Sequence, residues 1–200
     1  MLRMIIGGLA VLSAAAMMSC FVAFKPYRIP TASMEPTVNP GDRVILGRFA
    51  TDVMRGDLVV FRNPADPKHD LMKRVVGLPC DTIELRDKQL FVNGAKASEP
   101  YVLHEDEETY RDSSLRMRDQ FGPYVVPARR YFVLGDNRDN SNDSRYIGPI
   151  PAEDIRGRIV FVLGQKHFAR PHRPPVLASL PACRSSSFAP PATPATTPAR

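Results

Sequence analysis

Two hydroxyl side chains and one lysine are the first residues of this sequence that suggest chemistry. Thr31 and Ser33 lie in the stretch YRIPTASMEPTVNPGD (27–42), where three prolines keep the chain extended or turned. Lys73 lies in the apolar run LMKRVVGLPCD (71–81). A serine hydroxyl becomes a nucleophile when a base removes its proton, and a neutral lysine amine can be that base. The pair therefore suggests hydrolysis by a serine that works without histidine.

The lysine can act as a base only if its surroundings keep it neutral. Its apolar neighbours predict a buried strand, in which adjacent side chains point to opposite faces. We expect Lys73 to point inward, where burial lowers its pKa, and Arg74 to point outward and pair with an acid such as Asp136. The alternative is that both side chains reach the rim of the sheet and stay charged.

A second polar cluster lies in the loop VLGDNRDNSNDSRYIG (133–148). It contains Ser141, and it contains Asp143 two residues before Arg145, with which that carboxylate can pair. A calcium loop of the EF-hand type starting at Asp139 is excluded, because serine and isoleucine stand where it needs glycine and glutamate. A turn in which Asx side chains bond the local backbone is the other local interpretation.

Other catalytic classes fit less well. His69 lies in a polar loop, and His104 opens HEDEE, which lacks the second histidine of a metalloprotease. His167 and His172 lie in or near the C-terminal tail. A penicillin-binding enzyme would carry lysine three residues after the serine, where Pro36 stands. We therefore expect no metal site.

Eight short apolar runs must position these residues. They are rich in Val, Ile and Phe, and Gly, Pro, Asp and Asn separate them. The stretch ELRDKQLFVNG (84–94) is typical of a hairpin with its turn near 86–88. We predict a mainly β fold with several sheets in a barrel-like core, and a mobile charged excursion at 104–120.

The two ends of the chain differ from this β-rich part. Residues 4–24 carry no charge and are long enough for a transmembrane helix, so we predict a retained anchor rather than a cleaved signal peptide. Residues 25–165 form the predicted β domain. Residues 166–200, rich in Pro, Ala, Ser, Thr and Arg, form a predicted disordered tail.

Composition narrows the partners. The chain has 27 Lys and Arg against 21 Asp and Glu, a formal charge of +6 without basic runs interleaved with aromatics, so nucleic acid is not an expected partner. A mildly basic exterior suits an anionic bilayer surface. Three widely spaced cysteines, Cys20, Cys80 and Cys183, predict neither a disulfide framework nor a zinc site.

Taken together, these stretches resemble the bacterial type I signal peptidases. The resemblance rests on the apolar N-terminal segment followed by IPTASMEPT, GDLVVFRNP, KRVVGLPCD and GDNRDNSNDSR, in an order and spacing that cover most of residues 27–163. The family implies a membrane-anchored, mainly β serine endopeptidase with a Ser/Lys dyad and no cofactor. It removes signal peptides from exported preproteins after small residues, in sites of the Ala-x-Ala type. It also implies a single-pass protein of the cytoplasmic (inner) membrane whose catalytic domain lies outside the cytoplasm. This orientation comes from the resemblance, since the charges that flank the apolar segment do not fix it.

The resemblance also implies a role for each matching residue. Ser33 matches the nucleophile and Lys73 the general base, while Thr31 and the Ser33 backbone N–H match the oxyanion hole. Ser141 matches the serine that orients the lysine amine. The remaining matches are the bracing ion pair and supporting acid, Asp143, Arg145 and Asp136, and the pockets before the cut, Tyr27, Ile29, Met34, Leu71 and Met72.

One residue departs from the family pattern, and two alternative functions remain. Cys80 stands where the family usually has glycine, which costs roughly 1 kcal/mol if that position needs a positive φ. A specialised peptidase for pilins or conjugation would use the same chemistry. An inactive membrane-tethered binding module is the alternative from another class, and cleavage of a preprotein distinguishes it.

Overall fold

Short antiparallel strands make up most of the molecule, as the sequence predicts. The computed structural model describes residues 24–48, 52–112 and 114–164, and the backbone of 168–169. The strands are β1 Phe24–Arg28, β2 Arg43–Gly47, β3 Leu58–Arg62, β4 Asp70–Gly77, β5 Thr82–Arg86, β6 Gln89–Val92, β7 Ala95–Lys96, β8 Phe121–Val125, β9 Arg130–Leu134, β10 Ile150–Pro151, β11 Ile155–Leu163 and β12 Phe168–Ala169. Two short helices, α1 Arg116–Asp119 and α2 Ser144–Ile147, and a 3₁₀ turn at Ala152–Asp154 complete the described elements.

The strands form two sheets. The larger sheet has the order β1-β2-β11-β3-β4-β9-β10, with β12 beside β11, and the smaller has the order β7-β6-β5-β8. In the part of the chain that the structure describes, the path of the larger sheet ends at β1 and β10 without closing. The mainly β fold expected from sequence is confirmed, and the barrel-like core is an open sheet in these residues.

Strand β4 lies inside the larger sheet, between β3 and β9, and carries Lys73. Val59 is opposite Lys73 and Leu58 is opposite Arg74 on β3. Both cations are buried, with 3% and 2% of their surface exposed. The expectation that Arg74 points outward is therefore wrong, because packed side chains cover both faces of β4.

Three apolar clusters fix the sheets. One fills the space between the small sheet and the end of β4, around Ile83, Leu90 and Phe132. The second lies under β1, β2 and β11 and takes in Met34 and Val38 from the loop after β1. The third packs Val59, Phe61, Val75 and Val133 on the other face of β3, β4 and β9. Burial on this scale is what holds the loop after β1 against the sheet.

The turns follow the sequence signals closely. β5 and β6 pair from Ile83–Val92 to Arg86–Gln89, and the turn residues Asp87 and Lys88 have φ of 48° and 67°. These values suit the mirror-image turn that matches the twist of paired strands. The hairpin prediction is therefore confirmed.

Cys80 has a φ of 73°, the left-handed conformation for which a glycine is favoured. It is also disulfide-bonded. The expectation that the cysteines are not used for disulfides is therefore wrong for Cys80, since spacing along a sequence does not report proximity in the fold.

The charged segment 104–120 is fastened to the body and includes helix α1. Arg118 pairs with Asp119 at 2.9 Å, with Asp106 at 3.2 Å and with Asp139 at 3.4 Å. The mobile excursion expected from composition is thus a bound segment, because its acids and bases find partners in the fold rather than in water.

The predicted anchor at 4–24 lies outside the described residues except for Phe24, which begins β1. The tail predicted for 166–200 also lies outside them, apart from β12. None of the helices in the described ranges is long and apolar enough to cross a bilayer.

Candidate active site

The loop after β1 brings Ser33 to the end of β9. Ile29 donates its backbone N–H to Asp42 at 2.9 Å and accepts from Gly41 at 2.7 Å, which closes the base of the loop. Met34 packs into the core next to Ser33. The Ser33 carbonyl accepts the Asn137 N–H at 3.3 Å, so the loop is attached to the turn that follows β9.

Ser33 and Lys73 meet at hydrogen-bonding distance. The Lys73 Nζ lies 2.6 Å from the Ser33 Oγ, although 40 residues separate the two in sequence. Both side chains are buried. Lys73 points inward, as expected, and does not extend to the rim of the sheet as in the alternative.

The lysine is poised to lose its proton near neutral pH. Burial lowers the pKa of the Lys73 amine from its ordinary 10.5 to about 8, outweighing the carboxylates of Asp143 and Asp136, which raise it. Arg145 lowers it further. An amine with this pKa is neutral in a useful fraction of molecules at pH 7–8 and can accept a proton from a serine hydroxyl.

Thr31 lies beside this pair. Its Oγ1 is 3.4 Å from the Ser33 Oγ, and its side chain is exposed. A hydroxyl in that place faces the same space as the Ser33 Oγ, where a substrate carbonyl would approach. It is thus available as a hydrogen-bond donor to a developing oxyanion.

A layer of charges lies behind the lysine. Asp136 takes a two-pronged hydrogen bond from Arg74, at 2.8 Å to Nε and 2.6 Å to Nη2, and a 2.6 Å bond from the Thr37 hydroxyl. Arg74 also donates to the Gly56 carbonyl at 2.9 Å and stacks on Tyr101 at 4.1 Å. The pairing of Arg74 with Asp136 expected from sequence is confirmed, but it is buried.

Asp143 and Arg145 form a second buried pair. Arg145 donates to both Asp143 oxygens at 2.8 Å, and it donates to the carbonyls of Arg118 and Arg138. Asp143 also accepts the Gly135 N–H at 3.0 Å. Burial alone would raise the pKa of the Asp143 carboxyl, but Arg145 and the Gly135 N–H outweigh it and hold that pKa below its ordinary range. This pair ties the polar loop to the end of β9.

Ser141 lies at the site, yet not bonded to the lysine. Its Oγ is buried and lies close enough to the Asp143 carboxylate to help lower the pKa of that group, but it makes no hydrogen bond of ordinary geometry with the described residues. The hydrogen bond to the Lys73 amine expected from sequence is therefore not formed here. Ser141 packs against Gly135, whose missing side chain leaves room for it and for the Ser33 carbonyl.

An apolar cleft opens in front of Ser33. A cavity of about 100 Å³ is lined by Ser33 and Lys73 and by other residues of β1, β3, β4 and the loop after β1. All five residues expected to line the pockets before the cut border it, namely Tyr27, Ile29, Met34, Leu71 and Met72. Its small volume suits small side chains.

The structure adds residues that the sequence analysis did not single out. Gly135 allows the close approach of Ser33 and Ser141, and Asn137 holds the Ser33 carbonyl. Thr37 bonds Asp136, and Asp70 accepts a hydrogen bond from the Tyr27 hydroxyl at 3.2 Å. A glycine directly after a strand and before an Asx-rich loop was the signal for Gly135.

The two histidines in the described ranges are engaged elsewhere. His69 bonds to Asp66 at 2.6 Å and His104 to Asp139 at 3.4 Å. Neither is bonded to Ser33 or Lys73, so lysine is the base that the geometry offers to the serine.

Comparisons with known proteins agree on one family. Residues 2–164 match the sequence model of the family described as "Signal peptidase, peptidase S26". The chain is 43% identical to signal peptidase I P of Bacillus subtilis subsp. natto over 138 residues, 67% of this chain and 74% of that one. It is 34% identical to signal peptidase I of Pseudomonas fluorescens over 177 residues, 67% of this chain and 62% of that one.

Among solved structures, a signal peptidase I from Enterococcus faecalis V583 is 32% identical, with a TM-score of 0.42, and the match covers 54% of this chain and 96% of that one. The family model spans most of the chain and the Bacillus relative covers two thirds of it, which confirms the resemblance and the expectation of a serine endopeptidase. The chain belongs to the signal peptidase family, peptidase S26.

Proposed function

We propose that this protein removes signal peptides from exported preproteins, with Ser33 as nucleophile and Lys73 as general base. The observation that carries the proposal is the 2.6 Å distance between the Lys73 Nζ and the Ser33 Oγ, at a lysine whose pKa burial lowers to about 8. The named signal peptidase relatives support the substrate class.

The reaction follows from this geometry. The neutral Lys73 amine takes the Ser33 proton while the Oγ attacks the carbonyl carbon of the scissile bond. The carbonyl becomes an oxyanion, which the Thr31 hydroxyl and the Ser33 backbone N–H stabilise. The ammonium of Lys73 then gives its proton to the leaving amine, and the signal peptide stays as an ester on Ser33. Lys73 next deprotonates a water, which hydrolyses the ester.

The cleft supports a preference for small residues. The cavity is only about 100 Å³, and Ile29, Met34 and Met72 lie close to Ser33 along its wall. Side chains such as alanine fit there without moving the core residues, whereas a leucine would have to displace them. We therefore propose cleavage after small residues at sites of the Ala-x-Ala type.

We further propose that the apolar segment 4–24 anchors the enzyme in the cytoplasmic membrane, with the catalytic domain on the extracytoplasmic side. Ser33 lies nine residues after Phe24, no more than about 30 Å away even if fully extended. A preprotein whose own apolar segment lies in the bilayer would present its cut site at that height.

The test is cleavage of a preprotein by the detergent-solubilised full chain. Wild type should cleave, and Ser33→Ala and Lys73→Arg should not, since guanidinium stays protonated and cannot act as a base. Far-ultraviolet circular dichroism should show both variants folded. Activity of Lys73→Arg close to wild type would contradict the mechanism. No cleavage by folded wild type would favour the inactive binding module, and cleavage only of pilin-type precursors would favour the specialised peptidase.

The oxyanion role of Thr31 makes a separate prediction. Thr31→Ala should lower kcat by roughly 10²–10³-fold with little change in KM, because the donor acts mainly in the transition state. Thr31→Ser keeps the hydroxyl and should stay active. Equal kcat values for Thr31→Ala and wild type would show that backbone donors suffice.

A further inference from the structure

A second cavity, larger and more polar, lies next to the apolar cleft. It measures about 350 Å³ and takes its walls from four strands and the residue that follows β2. Its lining residues are Lys25, Tyr27, Leu46, Arg48, Asp70 and Arg156. No motif of the sequence analysis and no step of the mechanism uses its three cations.

The two cavities share a wall. Tyr27 and Asp70 border both, and the Tyr27 hydroxyl donates to the Asp70 Oδ2 at 3.2 Å. Side chains alternate along β1, so Lys25, two residues before Tyr27, points to the same side of the strand. The Lys25 Nζ lies 4.6 Å from the centre of the Tyr27 ring. The second cavity therefore continues the cleft along β1, away from Ser33.

Positive charge prevails in this cavity. Three cations face one carboxylate, and that carboxylate, Asp70, is already bonded to Tyr27 and lies 3.6 Å from the Arg156 Nε. Lys25, Arg48 and Arg156 are exposed, so a ligand can reach them from solvent. A carboxylate entering here would be attracted without displacing a buried partner.

We infer that this cavity binds an acidic side chain of the substrate, at about the fifth residue before the cut. The inference rests on the proposed function, in which the substrate lies extended along β1 with its third residue before the cut near Tyr27 and Ile29. The next substrate side chain on the same face is two positions farther from the cut, at the fifth residue before it. That side chain lies beside Lys25. Specificity therefore extends beyond the small residues at the cut.

An anionic lipid headgroup is the other ligand that three cations would suit. β1 follows the apolar segment directly, so this part of the domain lies near the proposed anchor. The shared wall of Tyr27 and Asp70 favours the peptide, because the cavity opens along the cleft that holds the substrate.

The experiment uses the full chain in a non-ionic detergent and three peptides that differ only at the fifth residue before the cut. The kcat/KM values should fall in the order Glu, Gln, Lys. Glu should exceed Lys by about three- to fivefold at low salt, a typical size for exposed charge interactions. The ratio should shrink in 0.5 M salt, because added ions screen exposed charges.

Two charge reversals and a matched control locate the effect. Arg156→Glu and, independently, Arg48→Glu should abolish or reverse the order of the peptides. Arg116→Glu reverses an exposed arginine on helix α1 that lines neither cavity, and it should keep the wild-type order. The ratio between peptides is compared within each variant, which removes any general effect on activity.

Four results would overturn the inference, and they distinguish it from the proposed function. Equal kcat/KM for the three peptides, with the Gln peptide cleaved and Ser33→Ala inactive, overturns the inference and leaves the proposed function in place. An unchanged order in both reversal variants overturns it as well. If the reversals instead weaken binding to phosphatidylglycerol vesicles and leave the order unchanged, the cavity is a headgroup site. Failure to cleave any peptide overturns the proposed function and the inference together.

Discussion

At the residue scale, Lys73 is a lysine whose buried position disfavours the charged form of its amine. Burial lowers its pKa to about 8, and the nearby carboxylates of Asp143 and Asp136 offset only part of that effect. Burial of Lys73 therefore costs folding stability, in full below about pH 8 and progressively less as pH rises toward 10.5. The same burial favours the neutral amine that the proposed mechanism requires as its base.

Lys73→Met should therefore abolish cleavage and stabilise the fold. A shift from 10.5 to about 8 corresponds to roughly 3 kcal/mol, which the variant should gain at pH 7. The unfolded lysine keeps its proton up to its ordinary pKa, so the gain should be full below pH 8 and vanish as pH rises through 10.5.

Urea unfolding of the solubilised chain, followed by tyrosine fluorescence because the chain has no tryptophan, measures this difference. Lys96→Met, at an exposed lysine of β7, should change the free energy of unfolding by less than about 0.5 kcal/mol. A Lys73→Met variant less stable than wild type at pH 7 would contradict the account of the buried amine.

Ser33 and Lys73 could be predicted from the sequence because residue type and apolar surroundings are local properties. The inward direction of Lys73 follows from alternation along a strand. The burial of Arg74 does not, because what covers the second face of β4 comes from residues far away in sequence, such as Thr37 and Tyr101. The missing bond from Ser141 to Lys73 likewise depends on distances that no spacing encodes.

At the element scale, the end of β9 decides whether the site can assemble. Gly135 donates its N–H to Asp143, and it stands where the Ser33 carbonyl and Ser141 approach the strand. A Cβ at this position would lie 2.6 Å from the Ser33 carbonyl oxygen. Any side chain here would push the loop that carries Ser33 away from β4.

Gly135→Ala should therefore lower kcat/KM by at least about 100-fold, since a displacement of about 1 Å at a nucleophile has effects of that size. The free energy of unfolding should fall by roughly 1–3 kcal/mol from overpacking. Gly94→Ala is the matched control, because nothing lies within 4 Å of a Cβ there and the residue is far from the site in sequence. It should lose about 1 kcal/mol for its positive φ and keep its activity. Near-normal kcat/KM for Gly135→Ala would show that the loop has room to move.

Most strands were predictable because alternation and turn residues are strong local signals. β1 was not, since Pro26 and Pro30 and the preceding apolar segment obscure its pattern. It is an edge strand, where a proline is tolerated, and its pairing with β2 is a tertiary contact. The cationic cavity beside β1 could not be predicted from the sequence for the same reason. Its cations are Lys25 of β1, Arg156 of β11 and Arg48, which follows β2.

At the scale of the whole molecule, buried and half-buried ion pairs connect the charged segment to the site. Arg118 contacts three carboxylates, and its carbonyl accepts a hydrogen bond from Arg145, the partner of Asp143. Tyr110 donates its N–H to Asp119 at 2.8 Å. The composition of 104–120 suggested a loose excursion because a sequence does not show where opposite charges meet.

Arg118→Ala should release this segment. The buried Asp119 would lose the cation that pairs with it, which typically costs several kcal/mol, and the segment 104–120 should open locally. Limited digestion with a protease that cuts after glutamate probes Glu105, Glu107 and Glu108, and cleavage there should become at least about tenfold faster. Arg116→Ala, at an exposed neighbour on the same helix, should digest like wild type. Equal digestion rates for Arg118→Ala and wild type would contradict the fastening role.

The pH dependence of kcat/KM tests the Ser33–Lys73 dyad most directly, because it reports the base of the free enzyme. The substrate is a peptide with alanine at the first and third positions before the cut. Only the neutral amine accepts a proton, so kcat/KM should rise tenfold per pH unit and level off above about pH 8. His69→Gln and His104→Gln should leave this limb unchanged. A limb near pH 6.5 that disappears in either histidine variant would contradict the dyad.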